Sequence, residues 1–222
     1  MTEPTFRSDM KVELIDFMGG DGRVVQAART STLGAAASEE KESEGLINFL
    51  LRERHDVPVE HSVFTFRIEA PIFVTRQILK HRITSISEES ARYRKLDGVF
   101  YIPDADRPLA QEGKTGDYNM VPLLEARANY AYSLMESATL DAWVAYQALL
   151  EIGVAKEAAR MVLPVNVYSS MYLTINARSL MNFLSKRNEH HAQFEIREVA
   201  KQMEDVFAKQ MPLTYASWRS DD

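Results

Sequence analysis

The sequence predicts an α+β fold, a small and mainly antiparallel sheet set among several long helices, in a single 222-residue domain. Three observations carry this. From Ser62 to Ala70, Phe64, Phe66 and Ile68 alternate with Thr65, Arg67 and Glu69, as a half-buried strand requires. From Pro122 to Gly153 the pattern reads as one long helix, with Gly153 in the C-cap region. Ala192, Ile196, Val199, Met203 and Val206 recur at amphipathic spacing until Pro212 stops the run.

In chain order, KVELIDFMGG reads as a first strand closed by a glycine turn, and VVQAARTS as a short apolar segment. SEEKESEGLINFLLRER is helical: acidic residues suit its first turn, and Leu46, Phe49, Leu50 and Arg54 follow the period. HDVP breaks it. Pro71 ends the strand and opens a helix to about Lys80. The segment 80–95 reads as irregular, GVFYIP as a short strand and DADRPLAQEGKTGDY as a turn-rich loop. VAKEAARMVL is a helix ending before Pro164, VYSSMYLTIN a strand and ARSLMNFLSKR a helix. No repeat or low-complexity linker interrupts the chain.

Composition narrows the function. Hydrophobic residues at 45% and charged residues at 26% suit a soluble globular protein. No stretch is long and apolar enough for a membrane span, and MTEPTFRSDM lacks the features of a signal peptide, so the expected location is cytoplasmic. The absence of cysteine excludes disulfides, thiolate metal sites and a cysteine nucleophile. A net charge of −6 argues against nucleic-acid backbones as partners.

One segment departs from this acidic background. KHRITSISEESARYRK, residues 80–95, holds five basic side chains, a histidine, three serines and a threonine. From Arg76 to Lys95 the local net charge is +4. The charges follow neither helical nor alternating spacing, and the segment is too polar for a core. Hydroxyls, guanidinium groups and irregular backbone N–H groups together suit an oxyanion. An anion-binding loop and a structural salt-bridge loop both fit. A serine nucleophile, Ser85 or Ser90 activated by His81, lacks nucleophile-elbow glycines; phosphate contact is the simpler role for Ser90.

The five histidines do not form a metal motif: none shows the helical spacing of zinc hydrolases. His55-Asp56 suggests an HD-type metal phosphohydrolase, but His55 is the first histidine, so the upstream ligand is missing. No metal is expected. A second polar cluster lies in TINARSLMNFLSKRNEHHAQFE, where Arg178 and Asn182, and again Arg187 and His191, stand four residues apart beside an apolar stripe.

These residues resemble a family. Lys80-His81-Arg82-Ile83-Thr84-Ser85 and Ser90-Ala91-Arg92-Tyr93 are similar to the flavin-dependent thymidylate synthase signature, R-H-R-x-x-S followed by S-x-R-Y. HDVPVEHSVFTFRIEAPIFVTRQILKHR resembles the strand and helix leading into it, and EAARMVLPVNVYSSMYLTINARSLMNFLSKRNEHHAQFEI a downstream block. The likeness runs from about Val24 to Pro212.

The resemblance implies a homotetramer with active sites shared between subunits. It implies reductive methylation of dUMP to dTMP, with methylenetetrahydrofolate as carbon donor, NADPH as reductant and FAD as bound cofactor. It assigns Gln77, Ile78, Leu79, Lys80, Glu88, Glu89, Ser90, Ala91, Arg92, Arg160 and Arg187 to dUMP. The resemblance implies that Arg187 is the catalytic residue, a cation beside the pyrimidine carbonyl and N3. Ser31, Val57, Lys80, His81, Arg82, Asn176, Arg178 and Asn182 fall to FAD, with His55, Glu60 and His191 as flavin or folate neighbours. Without a cysteine nucleophile the ring must be activated otherwise, and the resemblance implies hydride from a reduced flavin and stabilisation of an anionic uracil. Lys80 replaces the first signature arginine, Ser87 stands where many members have asparagine, and Val57 where a hydroxyl could contact flavin. These departures leave open a pyrimidine-nucleotide hydroxymethylating enzyme, or a silent FAD- and nucleotide-binding module. The HD-type phosphohydrolase is a remote third.

Overall fold

The computed structural model describes residues 2–34, 43–114 and 117–220. Its first elements are β1 (Thr5–Arg7), β2 (Lys11–Met18), α1 (Asp21–Leu33), α2 (Glu44–Arg52), α3 (Val57–Glu60) and β3 (Val63–Pro71). Then come α4 (Ile72–Ile78), β4 (Ser85–Glu88), β5 (Val99–Tyr101), β6 (Ala110–Lys114), β7 (Asp117–Val121) and α5 (Glu125–Glu151). The chain closes with α6 (Lys156–Ala159), β8 (Tyr168–Asn176), α7 (Ala177–Arg187), α8 (Phe194–Gln210) and α9 (Pro212–Ser220). The fold is α+β.

Two compact units emerge. The first takes Met1–Met10, Glu69–Lys80 and Glu88–Ser170. There β1 runs parallel to β5, pairing Thr5 with Val99 and Arg7 with Tyr101. Phe100, Trp143, Tyr146 and Val167 form its core, with Phe6 and Ile72 packed against them. Gly98 is forced at this core: its φ is +73°, and an added Cβ would lie 2.5 Å from the Trp143 ring.

The second unit takes Lys11–Ile68, His81–Ser87 and Met171–Asp222. Its sheet has the order β2-β3-β8-β4. Phe64, Phe66 and Ile68 of β3 are fully buried, and Met171, Leu173 and Ile175 repeat the two-residue period on β8. On the other side of the pleat, Thr65 and Thr174 share a 3.0 Å hydrogen bond. Phe207 of α8 meets Phe64 edge-on at 6.0 Å, so Phe64→Ala would cost about 3–5 kcal/mol.

Several expectations change. VVQAARTS lies in α1, not a short segment; Val24 and Val25 have no exposure, and their burial outweighs the weak helix preference of β-branched residues. The segment 80–95 is not wholly irregular, because residues 85–88 form β4 at the end of the sheet order. The supposed loop after Pro103 contains the antiparallel pair β6–β7. The long helix begins at Glu125, not Pro122, because Leu124 remains extended. Phe207, rather than Val206, fills the core under α8. Residues 38–42, the start of the helix expected over 38–54, lie outside the described residues, and Ser43 caps α2 by accepting from Leu46 N.

Pro212 ends α8 but also begins α9, a helix the sequence reading lacked. Proline fits the first helical turn, where its missing N–H has no partner to lose. Buried Asp21, distant in sequence, caps this helix: its carboxylate accepts from Leu213 N and Thr214 N, both at 2.9 Å, and from Thr214 Oγ1 at 2.6 Å. A remote cap leaves no local sequence signal.

Candidate functional site

In the first unit, Pro71 sends the chain from β3 into α4. The first two amides of α4, Ile72 N and Phe73 N, donate to the carbonyls of Val167 and Val165 at 3.0 Å each. These helix-end donors thus gain partners, and the pairing fixes α4 beside residues 163–169. Between them opens a cavity of about 260 Å³. Leu79, Glu88, Glu89, Ala91 and Arg160, all assigned to a uridylate by the resemblance, line it. So do Arg76 and Tyr168, which the sequence reading did not assign. No local spacing singles out Arg76: α4 ends at Ile78, and its docking beside residues 163–169 brings Arg76 to the cavity.

The remaining assigned residues of this unit have other surroundings. Ile78 is fully buried, and Lys80 is exposed. Gln77 is half-buried, and its carbonyl accepts from Lys80 N at 3.3 Å. Ser90 opens a turn, its carbonyl accepting from Tyr93 N at 3.0 Å and its hydroxyl from Arg92 N at 3.4 Å. Arg92 is exposed and paired with Glu157 at 3.2 Å. Arg94 bridges Glu89 at 3.0 Å and Asp97 at 2.5 Å. Part of the local positive charge is therefore neutralised within the unit, as a salt-bridge loop requires. Among the described residues, Arg76 and Arg160 carry no such ion pair, and both line the cavity.

In the second unit, β8 leads directly into α7, and Asn176 caps the junction: its Oδ1 accepts from Ser179 N at 2.8 Å. The apolar stripe of α7 (Leu180, Met181, Phe183, Leu184) is buried, which fixes the helix rotation and leaves Arg178, Asn182 and Arg187 off the core face. Arg187, in the last turn, donates from Nε to His81 Nε2 at 3.1 Å. The His81 ring also stands edge-on to Phe183 at 4.8 Å. Burial, then the nearby cations of Arg187 and Lys186, push the His81 pKa below its ordinary value. Accepting at Nε2 requires a neutral imidazole with its proton on Nδ1.

Arg178 and Asn182 line a second cavity of about 520 Å³, together with Arg52, Arg54, Asp56 and Trp218. Asp56 pairs with Arg178 at 2.7 Å. That ion pair occupies the carboxylate an HD-type metal site would need. The donor set of guanidinium groups, an amide and an indole suits a phosphorylated aromatic cofactor. Ser31, Val57, His55, Glu60, Arg82 and His191 are exposed and outside this lining. Ser31 donates to Ala28 O at 3.1 Å, His55 packs edge-on to Phe49 at 5.8 Å, and His191 faces His190 at 5.3 Å.

Comparison with known proteins places this geometry. Residues 13–213 match the family model described as thymidylate synthase complementing protein. The chain is 46% identical to the flavin-dependent thymidylate synthase of Streptomyces avermitilis, covering 99% of this chain and 94% of that one. Its identity to the enzyme of that name from Tropheryma whipplei is 45%, over 97% and 95%. It also superposes on the UMP/dUMP methylase PolB of Streptomyces cacaoi bound with 5-Br dUMP, with a TM-score of 0.91, 45% identity and 97% coverage of both chains. In the 5-Br UMP complex of PolB the TM-score is 0.90.

The fold and these likenesses define an enzyme of the methyltransferase class. The chain belongs to the flavin-dependent thymidylate synthase family. That membership, together with the engaged Asp56, sets aside the HD-type phosphohydrolase.

Proposed function

We propose that this enzyme reductively methylates dUMP to dTMP, taking its carbon from methylenetetrahydrofolate and its reducing equivalents from NADPH, with FAD bound. The observation carrying this reading is the cavity of the first unit. Five residues that the family resemblance assigns to a uridylate, Leu79, Glu88, Glu89, Ala91 and Arg160, line it together. Arg76 and Arg160 supply cations for the phosphate, and Ala91, Leu163 and Val165 supply apolar wall. Gln77, Ile78, Lys80, Ser90 and Arg92 complete the proposed dUMP set.

The cavity lined by Arg178 and Asn182 fits the flavin dinucleotide, with Ser31, Val57, Lys80, His81, Arg82 and Asn176 as further contacts and His55, Glu60 and His191 as flavin or folate neighbours. When bound, FAD supplies the hydride that replaces attack by a thiolate. Arg187 contributes a guanidinium cation, aimed at the pyrimidine carbonyl and N3. Neutral His81 orients it through Nε2.

We further propose a homotetramer with shared active sites, in the cytoplasm, without nucleic-acid or membrane partners. Helix α5 supports assembly. Trp143 and Tyr146 are buried on one side, yet Tyr130 (66% exposed), Leu134 (52%) and Val144 (47%) lie on another. A helix apolar on both sides is expected to be covered on both.

The purified protein should be yellow, or gain flavin absorbance on adding FAD, and should convert dUMP to dTMP with the folate and NADPH. Protein that takes up no flavin would overturn the proposal. UMP belongs beside dUMP in this assay, because PolB is a UMP/dUMP methylase. Mass spectrometry of the product separates methylation from hydroxymethylation. Binding without product would mark a silent module.

A further inference from the structure

Helix α2 ends in an unusual way. His55 N donates to Leu50 O at 2.7 Å and Arg54 N to Leu51 O at 3.0 Å. These paired bonds are those of a Schellman C-cap, whose left-handed residue is ordinarily glycine. Here it is Arg54, at φ +55°, the one non-glycine residue with positive φ among the described residues. A side chain at this position strains the backbone, and persistent strain of this kind concentrates at ligand sites.

Arg54 lines the 520 Å³ cavity with Arg178 and Asn182. The cavity's other two arginines have carboxylate partners: Arg178 pairs with Asp56 at 2.7 Å, and Arg52 with Glu53 at 3.1 Å. No ion pair holds Arg54 among the described residues. A cation fixed at a strained position, beside two neutralised ones, is the group left to meet an anion. We infer that Arg54 is a phosphate-binding residue, donating to a phosphate oxygen of the flavin dinucleotide. This rests on the proposed FAD reading of the same cavity.

The substitution Arg54→Gly separates the two roles. Glycine relieves the backbone strain, so the variant folds, and its ligand-free melting temperature should rise by about 2–4 °C. Flavin fluorescence titration should show FAD binding about 10-fold weaker, the loss typical of one charge-assisted hydrogen bond. dUMP binding should be unchanged. Arg54→Lys should recover part of the affinity, and riboflavin, which lacks phosphate, should bind both forms alike. A stabilised Arg54→Gly protein with wild-type FAD affinity overturns the inference, whether or not binding of NADP⁺ changes. Failure of the wild-type protein to bind FAD would instead overturn the functional proposal on which it rests.

Discussion

Arg187 Nε donates to His81 Nε2 at 3.1 Å, joining the last turn of α7 to the signature segment that begins at Lys80. A hydrogen bond of this sense can exist only while the imidazole is neutral. Protonation of His81 would remove the acceptor and set a second cation against Arg187.

Arg187→Ala should retain FAD while turnover falls about 10²–10³-fold, the usual loss on deleting one donor to a developing anion. Arg187→Lys keeps a charge without the planar fork or the Nε–H, so it should restore little of the rate. Single-turnover product formation measures both; a near wild-type rate in Arg187→Ala would remove the catalytic assignment.

The depressed His81 pKa gives a signed pH dependence. The folded state binds fewer protons than the unfolded state between the lowered value and the ordinary one near 6.5. The neutral-His contribution is therefore present above about 6.5 and is lost as pH falls through the folded value. Turnover should fall over the same acidic range. In His81→Gln, whose amide oxygen can accept without titrating, that acidic limb should disappear from the pH–kcat profile.

Arg76 and Arg160 should matter more to uridylate binding than Arg92. Alanine at either cavity position should weaken dUMP binding about 10–100-fold, the range for a lost hydrogen bond to a charged group. Arg92 is already paired with Glu157 and does not line the cavity, so Arg92→Ala should weaken it less. Isothermal titration ranks the three, and a larger loss at Arg92 would place the phosphate elsewhere.

Glu204 supports the residue next to Arg187. Its carboxylate accepts from Asn188 Nδ2, from Tyr215 Oη at 2.9 Å and from Arg219 Nε at 2.8 Å. Burial pushes its pKa up, but the bonds from Arg219, Asn188 and Tyr215 hold it below the ordinary carboxylate value. Its contribution is thus present above about pH 4.5 and is lost as pH falls through the depressed value. Glu204→Gln should cost about 1–3 kcal/mol in urea unfolding at neutral pH and flatten that acidic dependence. If Asn188 transmits this support, kcat should fall while dUMP affinity holds.

The sequence by itself determined the α+β class, the strands β3 and β8, helices α7 and α8, and the family resemblance, because each depends on short-range periodicity or a local motif. Alternation of Phe64, Phe66 and Ile68 reports the face they bury, whatever they pack against. Tertiary structure decided what depends on distant partners: Asp21 capping α9, β4 joining the sheet, Arg76 facing the cavity and Arg54 occupying a glycine's conformation. Such roles arise from the meeting of groups far apart along the chain. Local spacing records a residue's neighbours on its own element, but it does not encode which remote carboxylate neutralises an arginine and which arginine is left for a ligand.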